Sequence, residues 1–134
     1  MEASLLEEAE SIAHELGAEL QARFGFSGFL AKASLVGSER LVIRGSVLSW
    51  RTATELTSRL QARLPRVQLL NEQELLRTGR FHEVLQETPV WSVPSREGPR
   101  ELATLLLPED GAVEVLHAGD GAWLIRAVDA TLGW

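Results

Sequence analysis

An α+β chain in two domains is predicted by three observations. Residues 5–24 and 49–64 carry apolar stripes of helical period, residues 29–35, 41–47 and 67–70 alternate as strands do, and after Thr88-Pro89 only short alternating runs between turn signals remain. The expected architecture is an αββαβ domain in residues 1–76, with two helices on one face of a three-stranded sheet. A connecting segment at 77–88 then leads to a small all-β barrel in residues 89–134.

In the first helix Leu5, Ala9, Ile12, Ala13, Leu16, Leu20 and Phe24 fall on one side. Ser4 is its expected N-cap, and Glu7 and Glu8 fill the first turn, where the helix dipole favours acids. Gly25-Phe26-Ser27-Gly28 ends it. Phe29, Ala31, Ala33 and Leu35 then alternate with Leu30, Lys32 and Ser34. After the turn Val36-Gly37-Ser38-Glu39, Leu41, Ile43, Gly45 and Val47 alternate with Val42, Arg44 and Ser46. The second helix sets Ala53, Leu56, Leu60 and Leu64 opposite Arg51, Glu55, Arg59 and Arg63, which are spaced for i, i+4 pairs on a solvated face. Trp50, between strand and helix, is expected to pack across the sheet end. Pro65 stops the helix and residues 67–70 form a third strand running into Asn71. Leu75, Leu76, Phe81, Val84 and Leu85 give the stretch 72–85 helical spacing, so the connecting segment at 77–88 is read as either a helix or an irregular link.

Beyond it, strands are expected at 90–93, 102–107, 112–117 and 122–128. Pro108-Glu109-Asp110-Gly111 and Gly119-Asp120-Gly121 are the turns, the Asp-Gly pairs being the strongest local hairpin cue. These strands are too few and too short for a sandwich, which leaves a compact barrel as the closure.

Composition removes several functions. The 134 residues are 45% hydrophobic, enough for a core, and the net charge of -6 is uneven: residues 1–78 hold 10 acids against 9 bases, residues 79–134 hold 9 against 4. An acidic chain without a basic stripe lacks what nucleic-acid binding requires. Without Cys there is no disulfide, thiolate site or cysteine nucleophile. His14, His82 and His117 stand apart from one another and from any carboxylate pair at ligand spacing, and no Ser sits in a nucleophile elbow. No enzyme, metal or cofactor is therefore expected. The acidic N-terminus is unlike a secretory signal and no segment nears ~20 apolar residues, so the chain reads as cytoplasmic as written, or as envelope-associated if it is a mature or trimmed form.

The run Leu41-Val42-Ile43-Arg44-Gly45-Ser46-Val47-Leu48-Ser49, an amphipathic helix and then Pro65-Arg66-Val67 together resemble the BON domain pattern over residues 5–76, with Arg66 in place of the family's usual Gly. Gly45 matches the family's glycine, whose physical use is a strand position where backbone approaches closely. Further on, Gly98-Pro99, Leu102-Ala103-Thr104-Leu105, Gly111-Ala112-Val113-Glu114-Val115-Leu116, Gly121-Ala122-Trp123-Leu124-Ile125-Arg126 and Leu132-Gly133-Trp134 are similar to bacterial SH3 domains over residues 89–134, without the strand that normally follows the terminal Gly-Trp.

The resemblances imply a non-enzymatic binding or scaffolding protein, its SH3-like part taking a peptide or cell-wall-type ligand and its BON-like part anchoring or oligomerising. BON domains are also associated with phospholipid surfaces and envelope assemblies. One alternative is a cytoplasmic small-ligand or monovalent-ion sensor, by analogy with proteins that join a BON domain to a LysM domain; another is the targeting region of a longer wall-acting enzyme.

Candidate ligand contacts are Trp91, Trp123 and Trp134, because indoles offer large area at low entropy cost, with Arg96, His117 and Asp120 as polar neighbours. Phe26 and Phe29, in a glycine-bounded loop, either form a partner-binding or membrane-inserting tip or cap the core beneath the first helix. Lys32, Ser34, Val42, Arg44 and Ser46 lie on the sheet face opposite the helices. That face is expected to be solvated, covered by the second domain or paired with another copy, with Val42 and Arg44 as contacts.

Overall fold

The computed structural model describes residues 2–37, 39–92, 100–119, 121–127, 129 and 131–134. It is a mixed α+β chain that divides into two compact units, residues 1–21 with 27–75, and residues 22–26 with 76–134.

In the first unit α1 (Glu2–Phe24), β1 (Leu30–Val36), β2 (Arg40–Val47), α2 (Trp50–Arg63) and β3 (Gln68–Asn71) follow in the order the periodicities predict. The helix begins two residues before Ser4, which therefore sits inside the first turn and is not the N-cap; Glu2 and Ala3 are good helix formers that extend it. Central β2 pairs antiparallel with β1, and on its other side parallel with two short strands. β3 runs along Arg40 to Ile43, and β4 (Glu74–Leu75) along Ser46 and Val47. The expected third strand forms as β3, and β4 is an additional short strand that follows it after Glu72 and Gln73.

One face of this sheet is the core side. Leu41 and Ile43 pack with Ile12, Leu16, Leu56 and Leu60, and Ala31, Ala33 and Leu35 complete the layer, so both helices cover the same face. Arg59 joins the helices, pairing with Glu55 on its own helix and with Glu19 on α1, while Arg63 reaches Glu8. Such exposed pairs contribute about 0.2–1 kcal/mol each. Trp50 does not pack across the sheet end: it is 55% exposed, because position 50 lies about 120° around the helix from the centre of the buried Thr52, Leu56 and Leu60 row.

The gap between β3 and β4 has a polar fastening. Gln73, buried, donates from Nε2 to the Leu30 carbonyl at 2.8 Å and accepts from Asn71 Nδ2 at 3.1 Å, and Asn71 Nδ2 also reaches the Ala53 carbonyl on α2 at 3.2 Å. The Leu30 carbonyl is turned toward Gly45, where a Cβ would lie 2.0 Å from its oxygen. The close backbone approach expected at this glycine is therefore present, at φ +142.

The second unit is all β apart from the end of α1 and one 3-10 turn, Pro108–Asp110. Its strands are β5 (Phe81–Glu83), β6 (Thr88–Trp91), β7 (Leu102–Leu106), β8 (Ala112–Gly119), β9 (Ala122–Arg126) and β10 (Leu132–Gly133). They form a four-stranded sheet in the order β10-β9-β8-β5 and a ribbon of β6 with β7. Reciprocal 2.8 Å backbone bonds between Trp91 and Trp134 connect the ribbon to the β10 end of the sheet. Of the two readings of 77–88, the helical one is not realised. Gly79, at φ +72, interrupts the helical period, and Phe81–Glu83 pairs with β8 instead, belonging to the second unit.

Candidate functional site

Alternation along β8 and β9 gives the second unit two buried faces. Val113, Val115 and Ile125 point to one side, where they pack with Val84, Val90 and Leu106. Glu114 and Arg126 point to the other, both buried, and form a 2.9 Å ion pair. The Glu114 carboxylate also accepts from the backbone N–H of Thr78 at 2.6 Å and of Gly79 at 3.3 Å, while Arg126 donates to the Leu76 carbonyl at 2.7 Å. The pair thereby clamps the segment 76–79 to β8 and β9. Burial pushes the Glu114 pKa up, but the hydrogen bonds from Thr78, Arg126 and Gly79 outweigh it and hold the carboxyl below its ordinary value.

On the first side the core does not close. A groove of about 690 Å³ opens over it, reaching Val90, Leu106, Val113 and Ile125 at its floor. His82, Trp123, Gly119 and Trp134 line it too, as do Leu85, Pro89 and the polar Glu83, Gln86 and Thr88. Trp123 shares the core-facing parity of Ile125 on β9 yet remains 46% exposed, its ring edge against His82 at a centroid distance of 5.2 Å.

The structure brings two of the six expected ligand contacts, Trp123 and Trp134, into this groove. Trp91 is not among its lining: its backbone is paired with Trp134 and its ring lies under the Arg100 guanidinium, 3.9 Å from the centroid. His117 also stays out of it, stacked on Phe26 at 4.4 Å and edge-on to Trp134 at 6.3 Å. Arg96 and Asp120 lie outside the described residues. Trp134 packs on Gly119, and its Nε1, though buried, meets no acceptor among the described residues.

The loop phenylalanines are not an exposed tip. Phe29 packs against the core of the first unit, beside Gly17, and Phe26 is occupied by His117, because each ring finds an apolar or aromatic neighbour within its own unit. Val42 is no surface contact either: at the centre of the sheet, between Ser34 and Leu70 in register, it is 5% exposed. Arg44 is exposed and pairs with Glu72 at 3.8 Å.

Sequence reasoning missed His82 and Val84 as groove residues because the helical spacing of 72–85 placed them in the connector, and it missed Pro89 and Val90 because nothing local shows what their strand packs against. Gly79 and Pro89, bracketing a short run, were the signal that could have shown a strand there. Among the described residues no helix is long and apolar enough to cross a membrane. No protein-family model matches the chain, and no curated protein and no solved structure matches it.

Proposed function

We propose that the chain is a non-enzymatic binding protein whose second unit takes a peptide in the groove over Val90 and Ile125. The half-exposed Trp123 on a core-facing row carries this reading. An indole left there is unspent apolar area beside an open cavity, and buried indoles are recurrent anchors of binding. About 690 Å³ lies within the ordinary range of ligand sites, with an apolar floor and few polar groups at the rim. The resemblance of residues 89–134 to bacterial SH3 domains supports the same class of ligand, peptide or cell-wall-derived peptide. The BON-like residues 5–76 would then anchor or oligomerise the binding unit.

Panning a random peptide library on the intact chain tests the proposal. Trp123→Ala is expected to weaken the enriched peptides by about 30-fold, the loss of a hot spot of ~2 kcal/mol. Trp50→Ala, which removes an even more exposed indole from the first unit, is expected to leave them unchanged. Enriched peptides indifferent to Trp123→Ala, or no enrichment on the folded chain, would overturn it.

A further inference from the structure

We infer that the peptide enters this groove as an added β-strand along the free edge of β5, with a cationic residue beside Glu83. The inference rests on the groove being the binding site. Val115 N–H donates to the Arg80 carbonyl and Val84 N–H to the Gly111 carbonyl, so alternate residues 80, 82 and 84 turn their backbone groups toward β8. By the period of two, the N–H and C=O of Phe81 and Glu83 face the opposite way. Among the described residues no strand pairs with that edge.

The edge and the groove are the same place. His82 to Gln86 line the cavity in unbroken succession, with the Val84 side chain in the core below. A strand laid about 4.8 Å from β5 has its alternate side chains over the cavity, against Val90 and Trp123. Its other side chains come beside Phe81 and Leu85, which are 63% and 76% exposed. Natural sheets guard such edges with proline, charge or cover. On β6 the guard is Pro89, whereas β5 and the residues just after it offer two large exposed apolar side chains, Phe81 and Leu85, flanking one acid.

The charge points to the occupant. Glu83 stands between Phe81 and Leu85, Glu87 follows, and neither forms an ion pair with a described residue. A Lys or Arg on the outward side of the incoming strand complements them, while apolar, β-branched residues suit the inward side. Arg80, at the other end of β5, disfavours a second cation there. The ligand class is therefore an extended peptide with alternate apolar residues and a central cation.

The capped hexapeptide Val-Thr-Val-Lys-Val-Thr is the probe, titrated into the full ¹⁵N-labelled chain. At saturation, amide exchange at Phe81 and Glu83 is expected to slow by about tenfold or more as the new ladder forms. Methylating alternate backbone nitrogens of the peptide is expected to abolish binding, and Glu83→Gln to weaken it about threefold. If the peptide shifts the Trp123 indole while Phe81 and Glu83 stay unprotected and the methylated peptide binds equally, strand addition is overturned and the groove reading stands. If the Trp123 indole does not move in the folded chain, both fall.

Discussion

Glu114→Ala is expected to destabilise the protein by about 3–5 kcal/mol, because it leaves the Arg126 guanidinium buried without its countercharge. Both side chains are about 95% buried and 2.9 Å apart, and the carboxylate also satisfies the N–H groups of Thr78 and Gly79. Converting both members, Glu114→Met with Arg126→Leu, is expected to be less damaging than the single change, since no charge then remains in the interior. It will not be neutral, because Thr78 and Gly79 lose their acceptor. Urea unfolding of the three proteins measures the difference, and equal stability of the single variant and the wild type would remove the pair from the account.

The same pair sets an acid response. The folded-state pKa of Glu114 lies below its ordinary value of 4.5, so its contribution is complete above that value and is lost as pH falls through the depressed folded value. Between about pH 5 and pH 3 the melting temperature of the wild type is expected to drop more steeply than that of Glu114→Gln, which has no proton to take up. Parallel slopes would contradict the assignment.

Gly45→Ala is expected to cost roughly 3 kcal/mol, lowering the melting temperature by about 10 °C or more. Two effects combine. The backbone sits at φ +142, where side chains are strained, and the new Cβ would fall 2.0 Å from the Leu30 oxygen, a backbone atom that cannot step aside alone. Moving that carbonyl also breaks its bond from Gln73. Gly37→Ala separates the two effects: at φ +73 with nothing within 4 Å, it meets only the conformational penalty of about 1 kcal/mol. If the two variants melt alike by calorimetry, the close approach at Gly45 has no energetic weight.

The first unit was legible where one residue type repeats on one period. Leu56, Leu60 and Leu64 mark a helix, and Ala31, Ala33 and Leu35 mark a strand buried on one side. Legibility failed where burial comes from chain that is distant in sequence. Glu114 alternates with Val113 and Val115 and so reads as a solvent-facing residue, but residues 76–79 lie over it and make it a buried ion. Likewise Phe81 to Leu85 fit a helical spacing that Gly79 breaks, and the partner that makes them a strand, β8, is thirty residues away. Of the groove, the sequence shows Trp123 and Trp134 as candidates but not its floor. Val90 and Ile125 become neighbours only when the ribbon and the sheet are brought together.

The four tryptophans provide the most direct test of the central claim that the groove of the second unit is where this protein binds. The ¹⁹F spectrum of the 5-fluorotryptophan-labelled chain, assigned by single Trp→Phe variants, is recorded while an enriched peptide is added. Trp123 and Trp134 line the groove and are predicted to shift with saturation, while Trp50 and Trp91, which do not line it, hold still. A titration in which Trp50 or Trp91 moves and Trp123 and Trp134 remain in place would contradict the account.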